Sequence, residues 1–224
     1  MIYPIRLLIV DWNGFALDDL SVAHGSYRAI FQAHGVEPPP LEEYRAGIRT
    51  DYLSWYHRHG IPPDVGPDQI NAIRREYYLA NYQKAKIREG LRDLLRRCQE
   101  MDIPRVIVSG EIEELIVARL AEEGLVESFD LIRAHVRDRK AEEIRQAATY
   151  FGVDPHSAIY GDDFFEGIQA ARQAGVQSAA LIHPTAYSSD GVLREADPDH
   201  CISSLFHLID ILEESQRSTT APTV

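Results

Sequence analysis

The stretch Arg6-Leu7-Leu8-Ile9-Val10-Asp11-Trp12-Asn13-Gly14 runs from a short apolar segment directly into an acidic, glycine-containing loop. Four consecutive branched aliphatic side chains leave no polar face. Such a segment reads as a strand covered on both sides, the condition of a strand inside a parallel sheet. The abrupt change at Asp11 ends that strand and leaves a carboxylate at its carboxyl end.

Beyond Glu89-Gly90 the pattern alternates regularly. Helix is expected over 91–101, 112–123, 140–151 and 165–174, with strand over 105–108, near 129–132, and over 158–160 and 177–182. Strand and helix in turn make βα units, which pack as a mostly parallel sheet with helices on both faces and bind ligands at the carboxyl ends of the strands. Between the first strand and this series, residues 21–86 show helix-like spacing rich in Tyr, His and Arg, broken by Pro38-Pro39-Pro40 and Gly60-Ile61-Pro62-Pro63. The expected organisation is a core of residues 1–16 and 87–214, a helical cap inserted as 17–86, a last helix over 205–212, and a polar tail over 215–224 without apolar periodicity.

The bulk properties narrow the partners. At 224 residues the chain can bury a substantial core, and its apolar fraction of 45% with 26% charged residues is that of a globular protein. A formal charge of −12 argues against nucleic acid or an anionic membrane as the main partner while allowing a local basic pocket for a phosphate. Cys98 and Cys201 stand far apart in apolar contexts and form neither a disulfide framework nor a metal-ligand spacing. No apolar run approaches the ~20 residues that span a bilayer, and no basic leader precedes the first strand. The reading is a cytoplasmic protein, monomer or homodimer.

The chemistry lies at the strand ends. Asp11 ends the first strand, Ser109-Gly110 the second, Lys140 opens a helix, and Gly161-Asp162-Asp163 follows a later strand with Glu166 one turn on. Singly, each has a bland reading: a carboxylate after a strand caps a turn, Ser-Gly is ordinary loop chemistry, and a lone Lys is usually solvated. Together they bring a nucleophile, a hydroxyl, a cation and an acidic cluster to one edge of one sheet.

In order and spacing these segments resemble the haloacid-dehalogenase-like hydrolase superfamily, in particular its phosphoglycolate-phosphatase-like branch with a helical cap after the first strand. The resemblance covers almost the whole chain. Asp11-Trp12-Asn13-Gly14-Phe15 matches the first motif, Val108-Ser109-Gly110 the second, Lys140 the third, and Gly161-Asp162-Asp163-Phe164-Phe165-Glu166 the fourth. The family implies an α/β, Rossmann-like parallel sheet and an Mg²⁺-dependent phosphohydrolase acting on a small phosphorylated substrate. Asp11 is then the nucleophile, forming an aspartyl-phosphate. Asp162 is the second Mg²⁺ ligand of choice, with Asn13, Asp163 and Glu166 beside it. Ser109 and main-chain N–H groups around Trp12, Asn13 and Gly110 hold the transferring oxygens, while Lys140 neutralises charge.

Asn13 departs from the pattern. The family's phosphatases carry there an Asp that protonates the leaving oxygen and then activates water, and an amide can do neither. The competing reading is therefore a catalytically weakened binding or regulatory protein, or a relative with other hydrolytic chemistry. In the cap, Arg45 and Arg49, four apart, are the expected contacts to a substrate anion. His24 is the expected substitute acid.

Overall fold

Alternation of side-chain direction along a strand explains why Leu7-Leu8-Ile9-Val10 is apolar throughout. In the computed structural model, which describes residues 3–49 and 51–220, these four form β1 (Leu7–Val10) and all are buried. Successive side chains leave opposite faces of a sheet, so Leu8 and Val10 enter one apolar cluster and Leu7 and Ile9 another.

After β1 come β2 (Leu17–Asp18), α1 (Leu20–Ala33), α2 (Leu41–Gly47), α3 (Tyr52–Arg58), α4 (Pro67–Asn81) and β3 (Lys86–Ile87). The alternating series follows as α5 (Leu91–Glu100), β4 (Arg105–Val108), α6 (Glu113–Glu122), β5 (Leu131–Arg133), α7 (Lys140–Tyr150), β6 (Ala158–Asp162), α8 (Phe165–Ala174) and β7 (Gln177–Leu181). The chain closes with α9 (Asp190–Glu195), β8 (His200–Ile202) and α10 (Leu205–Thr220). Six strands form one parallel sheet in the order β5-β4-β1-β6-β7-β8. Val10 pairs with Ile107 of β4 on one side and Gly161 of β6 on the other. The chain builds outward from β1 through β4 and β5, then crosses back to lay β6 on the opposite side, and the ligand crevice of such a sheet lies where the direction reverses.

Each face is sealed by two kinds of helix. Leu91, Leu94, Leu95 and Cys98 of α5 pack with Leu205, Leu208 and Leu212 of α10 over Leu8 and Val10. Ile144, Ala147 and Ala148 of α7 join Ala170, Ala171 and Ala174 of α8 over Leu7 and Ile9. The small residues let these two helices sit close to the strands. Burial pushes the Cys98 thiol up to about 12, which suits a packing role. The helices α1 to α4 hold an apolar core of their own around Tyr27, Phe31, Tyr44, Trp55 and Tyr56, and join the sheet through the antiparallel pair of β2 and β3. Much of the polar-aromatic excess in this insert is therefore packing, with Tyr27 and Tyr44 ring centroids 4.5 Å apart.

The expected elements differ in their ends. β6 continues to Asp162, which puts that carboxylate on the strand itself. β5 starts two residues later than expected, and α9, β8 and the two-residue strands β2 and β3 carry too little pattern to read from sequence. The largest correction concerns 215–224: α10 runs on to Thr220, and residues 221–224 lie outside the described residues. Ser215 is buried and its Oγ accepts from Ile5 N at 3.1 Å, while Gln216 Nε2 donates to Ile5 O at 2.5 Å. Contact with the entry to β1 extends the helix where apolar spacing gives no signal.

Candidate active site

β1 delivers Asp11 to the edge of the sheet, where its N–H still donates to Gly161 O of the neighbouring strand at 2.9 Å. Lys140, first residue of α7, bridges two strands: Nζ donates to Asp11 Oδ1 and to Asp162 Oδ2, each at 3.0 Å. Asp162 has no exposed surface and is anchored by further donors, Tyr160 OH at 2.7 Å to Oδ2, and the main-chain N–H groups of Asp163 and Phe164 to Oδ1. Asp163 Oδ2 accepts from Tyr187 N at 2.6 Å, whereas its buried Oδ1 has no hydrogen-bond partner among the described residues.

Two glycines make this approach possible. A Cβ on Gly14, at φ +80°, would run into the Asp163 carboxylate, and one on Gly167 would run into that of Asp162. Arg88 donates to the carbonyls of Phe15 and Gly14 and so ties down the loop after β1.

Three buried carboxylates face one ammonium. Burial pushes the Asp11 carboxyl up to about 7, against the pull of Lys140 and with the Asp162 charge adding to the rise. Burial, and then the charge of Asp162, holds Asp163 well above the usual carboxylate range. For Lys140 burial opposes the charge, but Asp11 and Asp162 together outweigh it and leave the pKa raised. Asp11, Asp162 and Asp163 each offer an oxygen within 4.8 Å of the others. Hard carboxylate oxygens, an unpartnered Oδ1 and uncompensated negative charge fit a divalent cation such as Mg²⁺.

Asn13 turns away from this triad. Its Nδ2, with two protons to give, lies within hydrogen-bond distance of three oxygens, Tyr78 OH at 2.7 Å, Asp19 Oδ2 at 3.0 Å and Glu111 Oε2 at 3.1 Å. Asp19 is fully buried, held by Gly14 N at 2.9 Å on Oδ1 and by the hydroxyls of Tyr78 at 2.6 Å and Tyr187 at 2.9 Å on Oδ2. The environment of residue 13 is thus lined with acceptors and asks for a donor.

The family model for haloacid dehalogenase-like hydrolase matches residues 5–175, a span that includes Asp11, Ser109, Lys140 and Asp162. The chain belongs to this family. Among solved structures, this hydrolase is similar in fold to the haloacid dehalogenase-like protein ATU0790 of Agrobacterium tumefaciens, at 20% identity and TM-score 0.77, over 95% of this chain and 99% of that one. A HAD family hydrolase of Deinococcus radiodurans with bound phosphate and sodium matches at 20% identity and TM-score 0.74, over 95% and 97%. A mutant of CbbY from Rhodobacter sphaeroides, in complex with xylulose-(1,5)-bisphosphate, matches at 22% identity and TM-score 0.70, over 90% and 95%. No match was found among curated proteins.

The remaining expected residues of this hydrolase divide by location. Ser109 is buried at the end of β4, and its Oγ accepts from Glu111 N at 3.3 Å. Gly110 lies between them, half-buried. Trp12 is fully buried with its indole N–H donating to Tyr82 OH at 3.2 Å, so only its main chain faces the loop. Glu166 stands half-buried in the first turn of α8.

Arg45 takes a different task from the one expected. Buried on α2, it donates from Nε to Ala186 O at 2.8 Å and from Nη2 to His183 O at 3.1 Å and Ser188 O at 3.4 Å, while its own carbonyl accepts from Ser189 N. It ties the insert to the loop after β7 and has little left for a substrate anion. Arg49 lies beyond the end of α2 at Gly47, so helical i,i+4 spacing does not join the two arginines. Its guanidinium packs 5.0 Å from the Phe165 ring centroid and donates to Ile48 O. His24 stacks on Tyr27 at 5.5 Å, and burial, with Arg28 nearby, lowers its pKa. That ring is a packing element of the insert. Sequence reading passed over Asp19, Tyr78, Glu111 and Tyr187. The two acidic residues carry a usable signal, Glu111 following a strand-end Ser-Gly and Asp19 following the first loop, but the tyrosines are indistinguishable from core aromatics without coordinates.

Proposed function

We propose that this hydrolase is a phosphohydrolase that acts on a small phosphorylated metabolite, uses Mg²⁺, and passes through an aspartyl-phosphate on Asp11. The observation that carries the reading is the single buried constellation of Asp11, Lys140, Asp162 and Asp163 at the carboxyl ends of β1 and β6. Phosphate in the Deinococcus relative and a sugar bisphosphate in the Rhodobacter one support a phosphorylated small molecule over other hydrolase substrates.

In this reading Asp11 attacks phosphorus in line with the leaving oxygen, splitting one displacement into two easier steps. Lys140 holds the nucleophile in place and offsets charge on the phosphoryl oxygens, with Ser109 Oγ and the loop N–H groups as further donors. Asp11, Asp162 and Asp163 are the residues that would hold Mg²⁺, and Glu166, in the first turn of α8, is the further carboxylate proposed beside them. When bound, Mg²⁺ supplies positive charge beside the phosphoryl group. The helical insert acts as the cap that covers the substrate.

A protein that binds without efficient turnover is the second reading, favoured by one observation: Asn13 cannot carry a proton. The test is a Mg²⁺-dependent screen of phosphate monoesters and acyl phosphates with wild type and Asp11→Asn. Phosphate release that disappears in Asp11→Asn is the expected result. Release that survives Asp11→Asn removes the nucleophile assignment, and no release by wild type leaves the binding reading.

A further inference from the structure

Asn13 leaves the reaction without its usual acid, yet two carboxylates lie within hydrogen-bond reach of its amide. They differ in freedom. Asp19 is fully buried, and its Oδ2 is crowded by three donors while its Oδ1 is held by Gly14 N, so it serves as an anchor of the loop. Tyr78 already donates its hydroxyl proton to Asp19. Glu111 is half-buried, and each of its oxygens carries one hydrogen bond, Oε1 from Ile112 N at 2.9 Å and Oε2 from Asn13 Nδ2 at 3.1 Å. A carboxylate offers about four lone-pair sites, so both oxygens keep capacity to take a proton. Its main chain is fixed beside Ser109 at the end of β4, the strand next to β1.

We propose that Glu111 is the general acid and base of this hydrolase, aimed by the amide of Asn13. The assignment rests on the phosphohydrolase reading. In the first step the Asp11 oxygen forms a bond to phosphorus, the ester P–O bond breaks, and protonated Glu111 gives its proton to the departing alcohol oxygen. In the second, Glu111 takes a proton from water as the water oxygen attacks phosphorus. The bond from Asp11 to phosphorus breaks, releasing inorganic phosphate and returning Glu111 to its protonated state. Residue 13 has become the positioning donor and residue 111 the proton carrier, with one hydrogen bond between them.

The experiment uses phenyl phosphate, whose leaving group needs a proton, and p-nitrophenyl phosphate, whose leaving group does not, with Mg²⁺. Glu111→Gln keeps an acceptor for Asn13 and should lower turnover of phenyl phosphate by roughly 10²-fold or more. With p-nitrophenyl phosphate it should give a burst of about one nitrophenolate per active site followed by slow turnover, because phosphorylation of Asp11 proceeds and hydrolysis stalls. Glu111→Asp, which keeps the carboxylate, should recover part of the phenyl phosphate rate. Wild-type rates in Glu111→Gln overturn the proposal, as does equal loss on both esters without a burst. Wild type inactive on both esters brings down the phosphohydrolase reading, and the role of Glu111 with it.

Discussion

Asn13 Nδ2 lies 3.0 Å from Asp19 Oδ2, so the amide that replaces an expected acid is bound to a buried carboxylate. Asparagine here is matched to its surroundings. Asn13→Asp would set a third carboxylate against Asp19 and Glu111 and remove the donor both accept from. An unsatisfied buried group of this kind costs about 1–3 kcal/mol. The expected outcome is a loss of stability of that order in urea unfolding, with no gain in phosphatase turnover. A variant as stable as wild type and faster on phenyl phosphate would count against the coupling of residues 13, 19 and 111.

Asp163 should reveal the cation through stability. Its buried Oδ1 has no hydrogen-bond partner among the described residues, and beside Asp11 and Asp162 its carboxyl ionises only at a cost. Asp163→Asn is expected to raise the thermal midpoint in EDTA, because repulsion falls, and to shrink the upward shift that Mg²⁺ gives to wild type. Ligand at 100 times its Kd stabilises by about 2.7 kcal/mol, which sets the scale of the wild-type shift. Equal Mg²⁺ shifts in both proteins would remove Asp163 from the ligand set.

Gly167→Ala tests how tightly the acidic centre is packed. The added Cβ meets the Asp162 carboxylate, which is held by Tyr160, Lys140 and two main-chain N–H groups and has nowhere to retreat. Displacing it should cost at least ~10²-fold in kcat, since errors near 1 Å have effects of that size, while circular dichroism stays that of wild type. Unchanged kcat would mean that Asp162 is not needed in its present position.

Arg45→Ala separates a structural tie from a substrate contact. Loss of three hydrogen bonds from a buried guanidinium to the loop after β7 leaves the carbonyls of Ala186, His183 and Ser188 short of donors. A destabilisation of about 2–4 kcal/mol is expected, read in denaturant unfolding. A large rise in KM at unchanged stability would instead return Arg45 to the substrate.

Legibility from sequence followed the range of the interactions. The apolar run before Asp11 and the strand-helix alternation after Gly90 are local patterns, and each reappears as a buried strand or a helix with one sealed face. The motif segments were legible for the same reason, since a parallel sheet brings every strand's carboxyl end to one edge. By contrast, α10 continues past Leu212 because Ser215 and Gln216 meet Ile5, more than 200 positions away. Arg45 looked free because its acceptors lie about 140 positions downstream, and helix-face reasoning from Arg45 to Arg49 failed where α2 stops.

Sequence by itself determined the family and the parallel α/β architecture and nominated Asp11 as the nucleophile proposed here, because periodicity and strand-end residue type are properties of short segments. Only the tertiary structure decided which acidic groups stand together and which polar groups are already engaged. Hydrogen-bond saturation depends on donors brought by distant strands and helices, and so Asn13 reads as a missing acid in one dimension and as the donor between Asp19 and Glu111 in three.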